Sequence, residues 1–228
     1  MKYDWSILQE TTHWLAINKP SSLNVEPIWD YSNVQDQVID YLRQATGRQN
    51  PYVGIVHRLD RPVSGVLLLA KKKSTLRSLN EQFAQRKVSK TYWAVCADSP
   101  PAEQAKIEHH LIKEQKNKRS VVFSTPRKGS TPVSLSYCLM AQKEGRYLLQ
   151  VHPHSGKFHQ IRVQLAAIGC PIVGDHKYGS TVQDAPDCIA LHGRELEFFD
   201  PQAADQKKKY LAPVPTRKAW NISKQTKQ

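Results

Sequence analysis

His57-Arg58-Leu59-Asp60-Arg61-Pro62-Val63-Ser64-Gly65-Val66-Leu67-Leu68-Leu69-Ala70 is the decisive stretch of this chain. Its second half is uniformly apolar, as expected of a strand covered on both faces. Its first half is a Pro-closed loop holding one carboxylate among two arginines and a histidine. A carboxylate held by cations stays ionised and aimed, which suits a nucleophile or a general base. The alternative is a surface acid that pairs with Arg58 or Arg61 and catalyses nothing.

Strands and helices follow on either side. Residues 13–17 read as a short strand ending in the turn Asn18-Lys19-Pro20-Ser21-Ser22. Ser32 reads as a helix N-cap, with Gln35 completing a capping box. Val34, Val38, Ile39 and Leu42 line that helix, and Gly47 ends it. Val53–Val56 reads as a strand, and Ser74 as the cap of a second helix with Leu76, Leu79 and Phe83 inward. Lys90–Ala97 is a strand with Tyr92, Ala94 and Cys96 on one face. Val133–Met140 and Tyr147–Val151 alternate cleanly about a hairpin at Gly145. Phe158, Ile161, Leu165 and Ile168 mark a helix closed by Gly169. That spacing puts Arg162 at the edge of the apolar stripe, where a charge needs a partner, and His159 on the wetter side.

Residues 98–130 are polar and basic, and read as irregular loops around short strands. They are a basic surface or simply a solvated excursion. Strands with interspersed helices and no regular βαβ alternation imply an α+β fold, a mixed and mainly antiparallel sheet with flanking helices. No internal repeat or linker marks a boundary, so residues 1–215 are expected to form one domain. Residues 216–228 read as a basic, flexible tail.

The chain has 228 residues, of which 39% are hydrophobic, enough for a sizeable core. Lys plus Arg number 33 against 20 Asp plus Glu, for a net charge of +13. The implied partner is a polyanion such as a nucleic acid; the plainer reading is a soluble basic protein. No apolar run approaches the ~20 residues of a membrane span, and the N-terminus has no signal-peptide core. Cys96, Cys138, Cys170 and Cys188 show no C-x-x-C, which points to reduced thiols in the cytoplasm. His152, His154 and His159 suggest a zinc set, but no H-E-x-x-H is present and no metal is expected. Gly169–Gly174 has P-loop spacing, but Asp175 stands where lysine is required.

From residue types alone, Asp60 and Arg162 are the candidate catalytic pair. Six motifs in order then add a resemblance. His57-Arg58-Leu59-Asp60, with Ser64-Gly65, resembles the catalytic signature of the RluA family of RNA pseudouridine synthases. Asn18-Lys19-Pro20, Lys90-Thr91-Tyr92, Ser155-Gly156-Lys157-Phe158-His159-Gln160-Ile161-Arg162, Ile168–Asp175 with Tyr178-Gly179, and Leu191-His192 to Pro201 resemble its other motifs. The resemblance spans about residues 13–215.

The resemblance implies a pseudouridine synthase fold and isomerisation of a uridine in tRNA or rRNA, without a cofactor. It implies that Asp60 is the catalytic aspartate, that Arg162 pairs with it, and that Tyr92 stacks on the uracil. His57, Arg58, Lys157, His159 and Gln160 would contact substrate, with Arg58 filling the space of a flipped base. The family's S4-type RNA-binding domain has no counterpart before the first motif. That favours a small stem-loop target bound by a monomer. Val63, Ser155-Gly156-Lys157, Gln164 and Ser22 depart from the family pattern. Lys157 replaces a bidentate fork with a point charge. These departures leave open a silent RNA-binding module of the same fold.

Overall fold

The computed structural model describes residues 3–29 and 31–225. In chain order the elements begin with β1 (Ser6–Glu10), β2 (Trp14–Lys19), α1 (Val34–Thr46), β3 (Gly54–Ile55), β4 (Ser64–Ala70) and α2 (Lys73–Ala84). Next come β5 (Ser89–Cys96), β6 (Gln104–Glu114), β7 (Arg119–Phe123), β8 (Thr131–Lys143), β9 (Arg146–Pro153) and α3 (Gln160–Ala167). A short 3-10 helix (His176–Tyr178), β10 (Leu191–Asp200), β11 (Ala203–Leu211) and a 3-10 helix at Lys218–Gln225 complete the chain. The elements form two compact units, Met1–Lys90 with Gly193–Pro213, and Thr91–His192 with Val214–Gln228.

The first unit is organised by β4. All seven of its residues are buried, because strand alternation sends neighbours to opposite, covered faces. Leu67 and Leu69 join a cluster with Val34, Val38 and Leu42 of α1. Val66, Leu68 and Ala70 join a second cluster with Leu79 of α2, Trp14 and Phe198. The antiparallel pairing of β2 with β4 sets Lys19 opposite Gly65. Gly65 sits at φ +131, and a Cβ there would lie 2.3 Å from the Gly193 carbonyl oxygen. Only glycine allows that approach.

In the second unit β5, β9, β8, β6 and β7 form an antiparallel run in that order. Leu111, Val133 and Val163 pack together beneath α3.

Several local expectations change. Asn33, not Ser32, caps α1: its side chain accepts from Asp36 N–H at 2.9 Å, while Gln35 bonds the Val53 carbonyl instead. Helix α2 starts at Lys73 with no side-chain cap, so Ser74 lies inside its first turn. The strand expected over Val53–Val56 shrinks to Gly54–Ile55. Within residues 98–130 the strands expected to be short among irregular loops are a paired hairpin, with β6 running the length of Gln104–Glu114 and β7 Arg119–Phe123 beside it. β6 is mostly polar and half-exposed, so it carries no apolar signature; its backbone pairing with β8 holds it. Helix α3 is shorter than Phe158–Ile168 because His159 adopts φ 55, and Gln160 through Leu165 are all buried. The tail expected to be flexible from residue 216 is packed at Ala219, Trp220 and Ile222, which are 1%, 1% and 3% exposed. Residues 226–228 lie outside the described residues. Among the described residues no helix is long and apolar enough to cross a membrane.

Candidate active site

Asp60 belongs to the first unit, on the loop between β3 and β4. That loop is tied down from beneath. Lys19 is fully buried, and its ammonium donates to the carbonyls of Pro20 and Leu23 at 2.8 Å and of Arg61 at 3.4 Å. Ser22 N–H donates to the Arg61 carbonyl at 2.8 Å, and Val63 N–H closes a turn onto the Asp60 carbonyl at 3.0 Å. A buried cation that gathers carbonyls from two segments fixes their separation.

His57 is not one of the cations around Asp60. Its Nε2 accepts from Leu68 N–H at 3.1 Å, which requires an unprotonated nitrogen. Its ring stacks on Phe83 with centroids 5.2 Å apart. Burial first, and the Lys90 charge second, push its pKa down to about 3. Arg58 points outward, with a side chain 67% exposed and bonded to Glu26 at 2.6 Å.

The second unit holds the remaining candidates. Arg162 is buried on α3, and Asp175 answers its need for a partner with a bidentate grip. Nε reaches Oδ2 at 2.7 Å and Nη2 reaches Oδ1 at 2.8 Å. The guanidinium also lies 5.1 Å from the centre of the Tyr178 ring. The Tyr178 hydroxyl accepts from Ser120 N–H at 2.8 Å and sits 2.9 Å from His159 Nδ1. His159 is therefore half-buried rather than wet, stacked on Phe158 at 3.7 Å. Burial and the Arg162 cation push its pKa down to about 3. Four side chains from α3 and the segment that follows it (His159, Arg162, Asp175 and Tyr178) thus form one supported cluster.

Gln160 is 3% exposed and clips the preceding loop. Its Oε1 accepts from Ser155 Oγ at 2.6 Å and Lys157 N–H at 3.1 Å, while Nε2 donates to the Ser134 carbonyl at 3.0 Å. Lys157 itself is exposed. Tyr92 lies half-exposed on β5, opposite Val151 of β9.

The three histidines weighed as a zinc set point to separate partners: His152 to Thr91 and Gln150, His154 to Ser134 and Ser136, His159 to Tyr178. Among the described residues no group of three or more His, Cys, Asp or Glu side chains is placed to hold a metal ion. Lys19, Asp175 and Tyr178 were not singled out as site residues by sequence reasoning. Each stands inside a quoted motif, and a buried arginine demands an acid, which was the available signal for Asp175.

The sequence pattern of the RNA pseudouridylate synthase family matches residues 13–167, a span holding Asp60, Tyr92 and Arg162. The chain belongs to this family. It is 36% identical over 204 residues to the ribosomal large subunit pseudouridine synthase C of Buchnera aphidicola subsp. Acyrthosiphon pisum, covering 86% of this chain and 63% of that protein. It is 34% identical to an uncharacterized RNA pseudouridine synthase of Zymomonas mobilis, over 90% of this chain and 91% of the relative. With a tRNA pseudouridine synthase C of Pectobacterium carotovorum it shares 32% identity, covering 55% of that protein. The chain spans 63% and 66% of the length of the synthase C relatives from Buchnera aphidicola subsp. Acyrthosiphon pisum and subsp. Baizongia pistaciae. A human RNA pseudouridylate synthase domain-containing protein 4 superposes with a TM-score of 0.77 at 22% identity, covering 92% of this chain and 89% of the other. Such a likeness establishes the shared α+β pseudouridine synthase fold.

Proposed function

We propose that this chain isomerises a uridine in structured RNA to pseudouridine, without a cofactor, as a monomer acting in the cytoplasm on an rRNA or tRNA stem-loop. The supporting observation is the family match over Asp60, Tyr92 and Arg162, on a scaffold that ties down the Asp60 loop through Lys19 and grips Arg162 through Asp175. The reaction breaks the N1–C1′ bond, turns the uracil and joins C5 to C1′; C5 loses a proton and N1 gains one. No atoms enter or leave, so no redox partner is needed.

In this reading Asp60 is the catalytic carboxylate and Arg162 the cation that pairs with it and aims it. Tyr92 stacks on the uracil. Lys157 contacts phosphate as a point charge. Arg58 is free to leave Glu26, an exposed pair of little net strength, and fill the space of the flipped base. His57 and Gln160 already spend ring nitrogen and amide on the protein itself, so their part is to shape the loops that meet RNA. His159 likewise supports Arg162 through Tyr178.

The relatives named for the large ribosomal subunit favour rRNA as the first transcript to test. Tritium release from [5-³H]uridine-labelled rRNA and tRNA transcripts reports loss of the C5 proton. Wild type releases tritium, and Asp60→Asn does not while still binding RNA. Release by Asp60→Asn at the wild-type rate overturns the role of Asp60. Salt-sensitive RNA binding with no release from any transcript points to the silent binding module.

A further inference from the structure

The turn between Val25 and α1 presents an apolar surface that the catalytic reading does not use. Ile28, Trp29 and Tyr31 are 49%, 90% and 68% exposed. Ile28 and Tyr31 form a small antiparallel bridge, with Tyr31 N–H donating to the Ile28 carbonyl at 3.3 Å. Trp29 stands at the tip with φ 51. A left-handed conformation is costly for a bulky residue, and such outliers persist where surrounding structure or function holds them. The turn's base is well anchored, since Leu23, Val25 and Val34 are all buried.

The turn is also coupled to the Asp60 loop inside the first unit. Ser22 N–H reaches the Arg61 carbonyl, and Glu26 bonds Arg58. The segment leading into the turn therefore touches the loop that carries two exposed arginines, Arg58 through Glu26 and Arg61 through the Ser22 amide. Exposed aromatic rings on a segment tied to an arginine-bearing loop match a single-stranded nucleic acid, whose phosphates are anionic and whose bases stack without regard to sequence. A flipped uridine leaves its neighbours with uncovered faces, and those faces need a new partner.

We propose that Ile28, Trp29 and Tyr31 form a stacking platform for RNA bases that flank the target uridine, with Trp29 as its main contact. It rests on the RNA pseudouridine synthase reading above and adds a determinant of RNA binding outside the reacting centre. Stacking and phosphate contacts separate experimentally. A lost phosphate contact lowers the slope of log affinity against log salt, and a lost stack does not.

The probe is a fluorescently labelled single-stranded oligouridylate of about twelve nucleotides, within the usual reach of such grooves. Trp29→Ala weakens its binding about ten-fold with the salt slope unchanged, as expected for one lost stacked base. Trp29→Phe restores most of the affinity. On a transcript that wild type modifies, Trp29→Ala raises KM and leaves kcat in place. Trp29 is so exposed that Trp29→Ala keeps the wild-type circular dichroism and melting curve. Wild-type affinity in Trp29→Ala overturns the proposal, as does a changed salt slope. Loss of self-association in Trp29→Ala with unchanged RNA affinity also overturns it, and assigns the turn to a second copy of the chain. If wild type is active on a transcript and Trp29→Ala equals it, only this inference fails. If wild type neither binds RNA nor releases tritium, both readings fail together.

Discussion

Replacing Asp175 with asparagine tests the buried cluster directly. The pair it forms with Arg162 is withdrawn from water, with side chains 1% and 6% exposed, and is joined by two short bonds of 2.7 and 2.8 Å. The amide has nearly the shape of the carboxylate but keeps only one acceptor oxygen, and its NH2 faces a guanidinium N–H. Removing one partner of a buried pair costs about 3–5 kcal/mol. The retained acceptor places Asp175→Asn near the lower bound, about 3 kcal/mol. With an unfolding slope of about 3 kcal/mol per molar urea, the midpoint falls by about 1 M. Urea titration followed by far-ultraviolet circular dichroism measures the shift, and tritium release measures the loss of activity.

The double variant Asp175→Asn/Arg162→Met separates the pair from its surroundings. Removing both charges leaves no uncompensated cation, so the double variant loses less stability than the two single variants added together. A wild-type midpoint in Asp175→Asn refutes the reasoning. So do losses that simply add in the double variant, for then the two residues act independently.

Two further outcomes follow from the same contacts. Lys19→Met removes the ammonium donor from the carbonyls of Pro20, Leu23 and Arg61, and the Arg61 carbonyl keeps the Ser22 amide. It costs about 2–3 kcal/mol and speeds hydrogen exchange at the Ser22 amide; unchanged exchange there removes Lys19 from the support of the Asp60 loop. Burial pushes the pKa of both His57 and His159 down to about 3, from an ordinary histidine value of 6.5. Their neutral forms stabilise the fold fully above pH 6.5, and that contribution drains away as pH falls toward 3. Each histidine takes away up to about 1.4 kcal/mol of stability per unit of falling pH in that window. A urea midpoint that stays level between about pH 7 and pH 5 refutes their neutrality in the fold.

Much of the first unit was legible because local pattern and burial coincide there. The run Val66–Ala70 is apolar on both faces and is covered on both faces. The α1 stripe of Val34, Val38 and Leu42 is buried as its spacing requires, and Gly47 ends the helix in the left-handed region. The family match was equally legible, since motif order survives without knowledge of contacts. The β6–β7 hairpin was not, because its side chains are polar and half-exposed. A ladder of backbone bonds to β8 holds it, and hydropathy does not record such bonds.

By itself, the sequence determined the fold class, the positions of β4 and α1, and the membership of the RNA pseudouridylate synthase family. The tertiary structure alone decided which acid meets Arg162 within the second unit, that His57 and His159 stay neutral, and that Trp220 is buried in the C-terminal segment. The physical reason is that charge pairing and desolvation depend on distance and burial in space. Periodicity along the chain encodes which face of an element is apolar, but not which charged group from another element will come to lie against it.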